Sequence, residues 1–208
     1  MARLPMIPDD GQAPPEVQVF FDGARDLLTW CSYFTRTAAY APNMARWWVP
    51  MIAAIQRGGQ EANLDPRLKE LAVLKTSTLN QCAFCTGHNI KLGRLASLTT
   101  EEIEAASGDD WESCPTLDER EKAAIMWADR VTRNLTDTDA EARKRVEALF
   151  TEDELVELTL VSCLFAMLNR FNDSLWLDLD DEGAPPGANL YIGTDAFRRY
   201  AERMYAGT

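Results

Sequence analysis

Histidine is nearly absent from this chain of 208 residues, which contains one, His88. The chain also has no second close pair of cysteines besides Cys82 and Cys85. A zinc site needs four ligands, or three and a water, and these three residues are the most that one cluster could supply. The composition argues against a zinc protein, and we expect neither a metal nor a cofactor.

Positive charge is scarce as well. The chain has 21 Lys and Arg residues against 33 Asp and Glu residues, and its formal net charge is −12. Nucleic-acid binding requires a basic surface, and anionic membranes attract basic segments. We therefore expect no nucleic-acid partner and no membrane partner.

Long hydrophobic runs are missing too. The most apolar stretch, around residues 158–168, is too short to cross a bilayer. The N-terminal residues MARLPMIPDDGQAPPE lack the apolar core of a signal peptide. The five cysteines are odd in number, unlike a secreted disulfide framework. We expect a cytoplasmic protein, in which a close cysteine pair is more often catalytic or metal-binding than structural.

Strand-like alternation is absent, whereas helical periodicity begins at Val17 and continues along the chain. Capping boxes at Thr99 and Thr151 begin a short helix to residue 106 and a long helix to about residue 176. Further helices are predicted over residues 17–33, 42–56, 64–80, 82–96, 117–134, 137–149 and 195–204. We predict an all-α chain with a proline-rich arm over residues 1–16, a single-domain helical bundle over 17–208 and an acidic loop over 178–189.

Two polar residues, Asn169 and Arg170, fall within the apolar part of the helix that begins at Thr151. A buried charge needs a partner. We therefore expect Arg170 to pair with a carboxylate, either inside the bundle or across an interface between subunits.

The stretch CAFCTGHN holds the chain's most reactive side chains. If Cys82 begins a helix, Cys85 and His88 follow at one-turn intervals, and the latter two lie about 60° apart around the helix. The helix dipole favours a thiolate in the first turn, most of all at Cys82. An imidazole can accept a thiol proton, and a second thiol can close a disulfide on an oxidised sulfur. The pattern indicates a redox pair, with two inert core thiols as the alternative.

With Glu70 placed twelve residues before Cys82, the segment ELAVLKTSTLNQCAFCTGHN resembles the core motif of the alkylhydroperoxidase D-like and carboxymuconolactone decarboxylase superfamily. That motif has a Glu on one helix, Asn-x-Cys-x-x-Cys at the turn, and a His on the next helix. Asn80, Cys82 and Cys85 match it. The resemblance covers residues 64–106.

The resemblance implies an all-helical fold that assembles as a dimer, trimer or hexamer. It also implies hydroperoxide reduction, with electrons returned by a dithiol donor. Cys85 would attack the peroxide, Cys82 would resolve the product, and Glu70 would accept a proton through water and His88. The better-known members place the histidine four residues after the second cysteine, where this chain has Asn89. Asparagine is no base at neutral pH, so either His88 takes over the role or the relay is altered.

Three functions fit the motif. The first is a thiol-dependent peroxidase, which requires a reversible Cys82–Cys85 disulfide. The second is a lyase or isomerase that acts on a small lactone or acid, with Glu70 and His88 as acid and base and no need for thiols. The third is a redox-sensing protein that forms the disulfide without turnover. Members that lack the cysteines are decarboxylases, and because this chain keeps both thiols we expect a peroxidase-type oxidoreductase.

Overall fold

A computed structural model of the chain describes residues 3–59, 62–179, 185 and 187–205. Within these residues the regular structure consists of ten α-helices and one 3-10 helix, and the sole strand-like feature is a parallel bridge between Gly58 and Tyr191. The prediction of an all-α fold is confirmed. Within the same residues, no helix combines the length and apolar character needed to cross a membrane.

The chain divides into two compact units, one made of Met1–Ala62 and Leu175–Thr208 and the other of Asn63–Ser174. The prediction of an arm followed by one bundle did not include this division. Of the acidic loop predicted over 178–189, residues 180–184 and 186 lie outside the described residues.

The first unit contains four helices: α1 (Pro15–Leu28), α2 (Tyr33–Ala38), α3 (Pro42–Gln56) and α10 (Thr194–Tyr205). Helix α1 packs against α10 and α3. The close approach of α10 depends on Gly23, because a Cβ atom there would lie 2.6 Å from Met204 Cε and 2.9 Å from a ring carbon of Tyr200. Glycine at this position therefore fixes how closely the two helices pack.

The single helix predicted over residues 17–33 is wrong, because the chain forms two helices there. Helix α1 ends at Leu28, and Thr29 adopts a left-handed conformation with φ 71°. Ser32 then caps α2 by accepting a hydrogen bond from the Thr35 N–H. Left-handed helix ends are usually marked by glycine or asparagine, so a threonine gave no signal of the break.

The proline-rich arm before α1 has no helix in its described residues, 3–14. Its backbone carbonyls accept hydrogen bonds from side chains of the same unit, at Ile7 from Arg36 Nε (3.0 Å) and at Pro5 from Tyr40 (2.8 Å). Asp9 forms an ion pair with Arg25 of α1. The arm therefore packs against its own unit.

The second unit contains α4 (Pro66–Leu79), α5 (Ala83–Leu95), α6 (Thr100–Ser107), a 3-10 helix (Asp110–Ser113), α7 (Glu119–Thr132), α8 (Ala140–Leu149) and α9 (Glu152–Ser174). Helix α4 packs against α5, α6, α7 and α9. Its Leu71 and Leu74 are fully buried in a cluster with Ile103 and Ile125. The second unit is thus organised around α4, and the next residues of the chain lead directly to the cysteine pair.

Arg67 ties two helix beginnings of the second unit together. Capping boxes begin α6 and α7, and they place Glu102 and Glu121 at the third residue of each helix. The Arg67 guanidinium donates to Glu102 at 2.6 Å and to Glu121 at 2.5 Å. Both carboxylates are almost completely buried, so each one depends on Arg67 for charge compensation.

Candidate active site

The two cysteines lie at the tight turn between α4 and α5. Gln81 has a positive φ of 59°, which turns the chain from one helix into the next. Cys82 is the N-cap residue of α5, and its sulfur accepts a hydrogen bond from the Cys85 N–H at 3.4 Å. Both cysteines are buried, with 0% and 2% of their surface exposed.

The turn brings the two sulfur atoms within 2.7 Å of each other, with the Cys82 thiol donating to Cys85 Sγ. Both cysteines are free thiols. Oxidation could therefore join them without a rearrangement of the backbone, because their sulfurs already face each other. Within the described residues, no three His, Cys, Asp or Glu side chains form a group that could hold a metal ion.

Amide side chains surround the sulfur of Cys85. Asn172 of α9 donates from Nδ2 to Cys85 Sγ at 3.1 Å. One turn earlier on α9, Asn169 accepts from Asn80 Nδ2 at 2.9 Å and donates to Ser77 Oγ at 3.2 Å. This network of buried amides and a hydroxyl holds the end of α9 against the turn that carries the cysteines.

These contacts shift the pKa values of the two thiols in opposite directions. The pKa of Cys85 is lowered, chiefly by the hydrogen bond from Cys82 and further by the amides of Asn172 and Asn169, although burial acts in the other direction. The pKa of Cys82 is raised by its hydrogen bond to Cys85, by burial, and by the carboxylate of Asp173. Cys85 therefore loses its proton more readily than Cys82 does.

The other two predicted site residues lie on the same helix pair. Glu70 is fully buried in α4. His88 is half-buried in α5, where its ring stacks on Phe84 with centroids 5.6 Å apart. The roles of Glu70 and His88 in a proton relay stay a prediction.

Asn89 occupies the position at which the motif resemblance led us to expect a histidine. It is buried, and its Nδ2 donates to the backbone carbonyl of Cys85 at 2.7 Å. The side chain therefore secures the first turn of α5.

Sequence reasoning noted Asn169 as an unusual polar residue of α9, but it missed Asn172 and the contact of this helix with the cysteine pair. Asn169 and Asn172 are three residues apart, so they lie on one face of a helix whose other buried residues are mostly apolar. This repeated polar position was the available signal. Arg170, between them, is exposed and donates to the Ala166 carbonyl of its own helix, so the predicted ion pair inside the bundle is wrong.

Comparison with known proteins shows which proteins the chain resembles. Residues 42–130 match the carboxymuconolactone decarboxylase family. The uncharacterized protein YnjA of Escherichia coli K12 is 26% identical over 112 residues, which are 54% of this chain and 60% of YnjA. The match thus spans about 60% of the length of that relative.

Solved structures show the same fold. A protein of unknown function from Agrobacterium tumefaciens, suggested to be the antioxidant defence protein AhpD, superimposes with a TM-score of 0.62 at 25% identity, covering 70% of this chain and 97% of its own. The debrominase Bmp8 superimposes with a TM-score of 0.70 at 16% identity, covering 96% of both chains. The family match over residues 42–130 and the shared fold both support the resemblance to the alkylhydroperoxidase D-like and carboxymuconolactone decarboxylase superfamily that the motif indicated.

Proposed function

We propose that the protein is a thiol-dependent peroxidase that reduces hydroperoxides through Cys85 and Cys82. One observation carries this proposal: two free sulfurs lie 2.7 Å apart, in surroundings that favour a thiolate on one and a thiol on the other. A peroxidase of this kind needs such an unequal pair, because one sulfur must attack while the other keeps its proton for the following step.

In the first step, the Cys85 thiolate attacks the hydroxyl-bearing oxygen of the hydroperoxide. The O–O bond breaks, the sulfur becomes a sulfenic acid, and the leaving alkoxide takes up a proton to form an alcohol. Asn172 is placed to assist, since its Nδ2 already contacts the attacking sulfur. Its Oδ1 is buried and has no hydrogen-bond partner among the described residues, so it can accept the hydroperoxide O–H.

In the second step, Cys82 attacks the sulfenic sulfur, and a disulfide forms with the release of water. Cys82 must lose its proton during this attack, and in this proposal the proton passes to the carboxylate of Asp173, which contributes to the raised pKa of this thiol. A dithiol donor then reduces the disulfide by thiol–disulfide exchange and becomes oxidised itself. Such a cycle requires a reducing compartment, in line with the cytoplasmic location that we propose.

In this proposal Glu70 accepts, through His88 and water, the proton that the Cys85 thiol loses, and the same relay returns that proton to the alkoxide. Glu70 is fully buried in α4, the helix that leads into the turn before Cys82. His88 follows Cys85 by one helical turn. It is the chain's only imidazole, and histidine is the side chain that most often transfers protons in enzymes.

The test is a count of thiols after a single addition of peroxide. Reduced protein receives one equivalent of an organic hydroperoxide, is alkylated under denaturing conditions, and is weighed by intact-mass spectrometry. We expect two of the five thiols to become unavailable and the alcohol to form in equal amount. Cys85→Ser should abolish both changes, whereas Cys114→Ser, which alters a buried cysteine outside the pair, should leave them intact.

Five free thiols in a folded, peroxide-treated protein would refute the proposal. Disulfide formation without turnover in the presence of several dithiols would instead support the redox-sensing alternative. A tribrominated pyrrole should be tested in the same assay as a second electrophile, because the debrominase Bmp8, which has this fold, was solved in complex with 2,3,4-tribromopyrrole. Lactone conversion that survives loss of both cysteines but not Glu70→Gln would support the lyase alternative.

A further inference from the structure

Helix α9 presents an apolar stripe to the surface of the chain. Val156, Leu160 and Met167 are 60%, 47% and 38% exposed, and Cys163 between them is exposed as well. Their spacing of four, three and four residues puts all four side chains along one side of the helix. Exposed large apolar residues in one continuous row mark an interaction surface more often than isolated ones do.

A negatively charged residue lies at one end of this stripe and a positively charged residue lies at the other. Asp153 lies three residues before Val156, and Arg170 lies three residues after Met167; both are exposed. The complete row has a spacing of three, four, three, four and three, which is the same in both directions. A stripe with this symmetry is complementary to itself when one copy is reversed.

We propose that this stripe is the interface for a second copy of the chain, with the two α9 helices packed antiparallel. Reversal about the middle of the stripe places Val156 opposite Met167 of the other copy and Leu160 opposite Cys163. Each copy then buries its four apolar side chains in a twofold-symmetric contact about 25 Å long, since each residue advances a helix by about 1.5 Å.

The charges select the antiparallel orientation. In this register Asp153 of each copy faces Arg170 of the other copy, which gives two ion pairs across the interface. A parallel arrangement would place Asp153 beside Asp153 and Arg170 beside Arg170, and both contacts would be repulsive. The pairing also supplies Arg170 with the intersubunit carboxylate that its position in the sequence predicted.

Disulfide trapping tests the orientation. In a Cys163→Ser background, chains carrying Val156→Cys are mixed with chains carrying Met167→Cys and mildly oxidised. We expect a covalent dimer linked between positions 156 and 167, identified by peptide mass spectrometry. Each chain oxidised alone should give little dimer, because position 156 faces position 167 and not itself. A 156–156 link as the main product would overturn the antiparallel proposal.

Sedimentation analysis of the otherwise unaltered chain tests the surface itself. Leu160→Glu should convert the dimer to a monomer, whereas Leu135→Glu, at a residue 40% exposed outside the stripe, should not. Asp153→Arg and Arg170→Asp should each raise the dimer dissociation constant roughly tenfold, and their combination should restore it. A chain that is monomeric at all concentrations, or an oligomer that survives Leu160→Glu, would overturn the proposal. None of these readouts depends on the chemistry of Cys82 and Cys85.

Discussion

Replacing Asn172 with leucine tests the site most directly. Leucine has a similar shape and volume, so the packing at the end of α9 should largely persist. The change removes the Nδ2–H group that donates to Cys85 Sγ at 3.1 Å. We therefore expect the thiolate at Cys85 to be less stable and the pKa of Cys85 to rise.

The magnitude follows from the charge on the acceptor. A hydrogen bond to a charged group contributes about 1.5–3 kcal/mol, and a shift of one pKa unit corresponds to about 1.4 kcal/mol. The donors from Cys82 and Asn169 remain in the variant, so the lower end of the range applies. We expect the pKa of Cys85 to rise by about one unit. At pH values below the titration midpoint, the fraction of Cys85 present as thiolate then falls about tenfold.

The assay measures the rate of alkylation of Cys85 by iodoacetamide at a series of pH values, with the modified peptide quantified by mass spectrometry. Asn172→Asp is the matched control: it keeps the shape but replaces the donor by a negative charge, so its midpoint should rise further than that of Asn172→Leu. A merely structural role for Asn172 would predict no such order. An unchanged midpoint in a fully folded Asn172→Leu protein would refute the assigned hydrogen bond.

Three further predictions concern the second thiol, the relay and the ion-pair network. Cys82→Ser should consume one equivalent of hydroperoxide and stop at a sulfenic acid on Cys85, which a dimedone adduct would reveal; continued turnover would exclude Cys82 as the resolving residue. Glu70→Gln should slow single-turnover peroxide reduction about a hundredfold, as loss of an acid–base group does, and an unaltered rate would remove Glu70 from the relay. Arg67→Met should lower the free energy of unfolding in urea by about 3 kcal/mol, because two buried carboxylates lose their partner. Burial acts to raise the pKa of Glu102, but Arg67 and the capping N–H groups lower this pKa overall. The ionised Glu102 therefore contributes fully to the free energy of unfolding above the usual pKa of Glu. This contribution is lost as the pH falls through the lowered pKa. Equal acid sensitivity of variant and wild type would contradict this assignment.

Local signals were sufficient to predict most helices. Residues 42–56 were predicted with the observed bounds of α3, and the helices that flank the cysteine pair were predicted to within two residues. Proline at a first turn, capping boxes and apolar spacing act over a few residues, so the sequence displays them directly. The helix break at Thr29 has no such local signal, and the division into two units depends on contacts between residues far apart in the chain.

The candidate site likewise has one part that local sequence predicts and one part that depends on long-range contacts. The spacing of Cys82 and Cys85 is enough to predict that their sulfurs meet at the start of a helix. The amides of α9 come from almost ninety residues further along the chain. Periodicity can show that Asn169 and Asn172 share a buried face, but only the tertiary structure shows that this face meets the sulfur of Cys85.

The same distinction explains why helix position alone favours a thiolate at Cys82, whereas the side-chain contacts lower the pKa of Cys85 and raise that of Cys82. Cys82 is the N-cap residue, where a helix dipole contributes about 0.3–1 kcal/mol to a negative charge at an exposed site. Each hydrogen bond to a thiolate contributes about 1.5–3 kcal/mol, and Cys85 receives them from Cys82 and Asn172, whereas the negative charge of Asp173 acts against ionisation of Cys82. Side-chain contacts therefore outweigh the dipole. A related protein could keep the CxxC motif and lose this polarity through changes in α9 alone, so the chemistry of such proteins has to be inferred from both helices together.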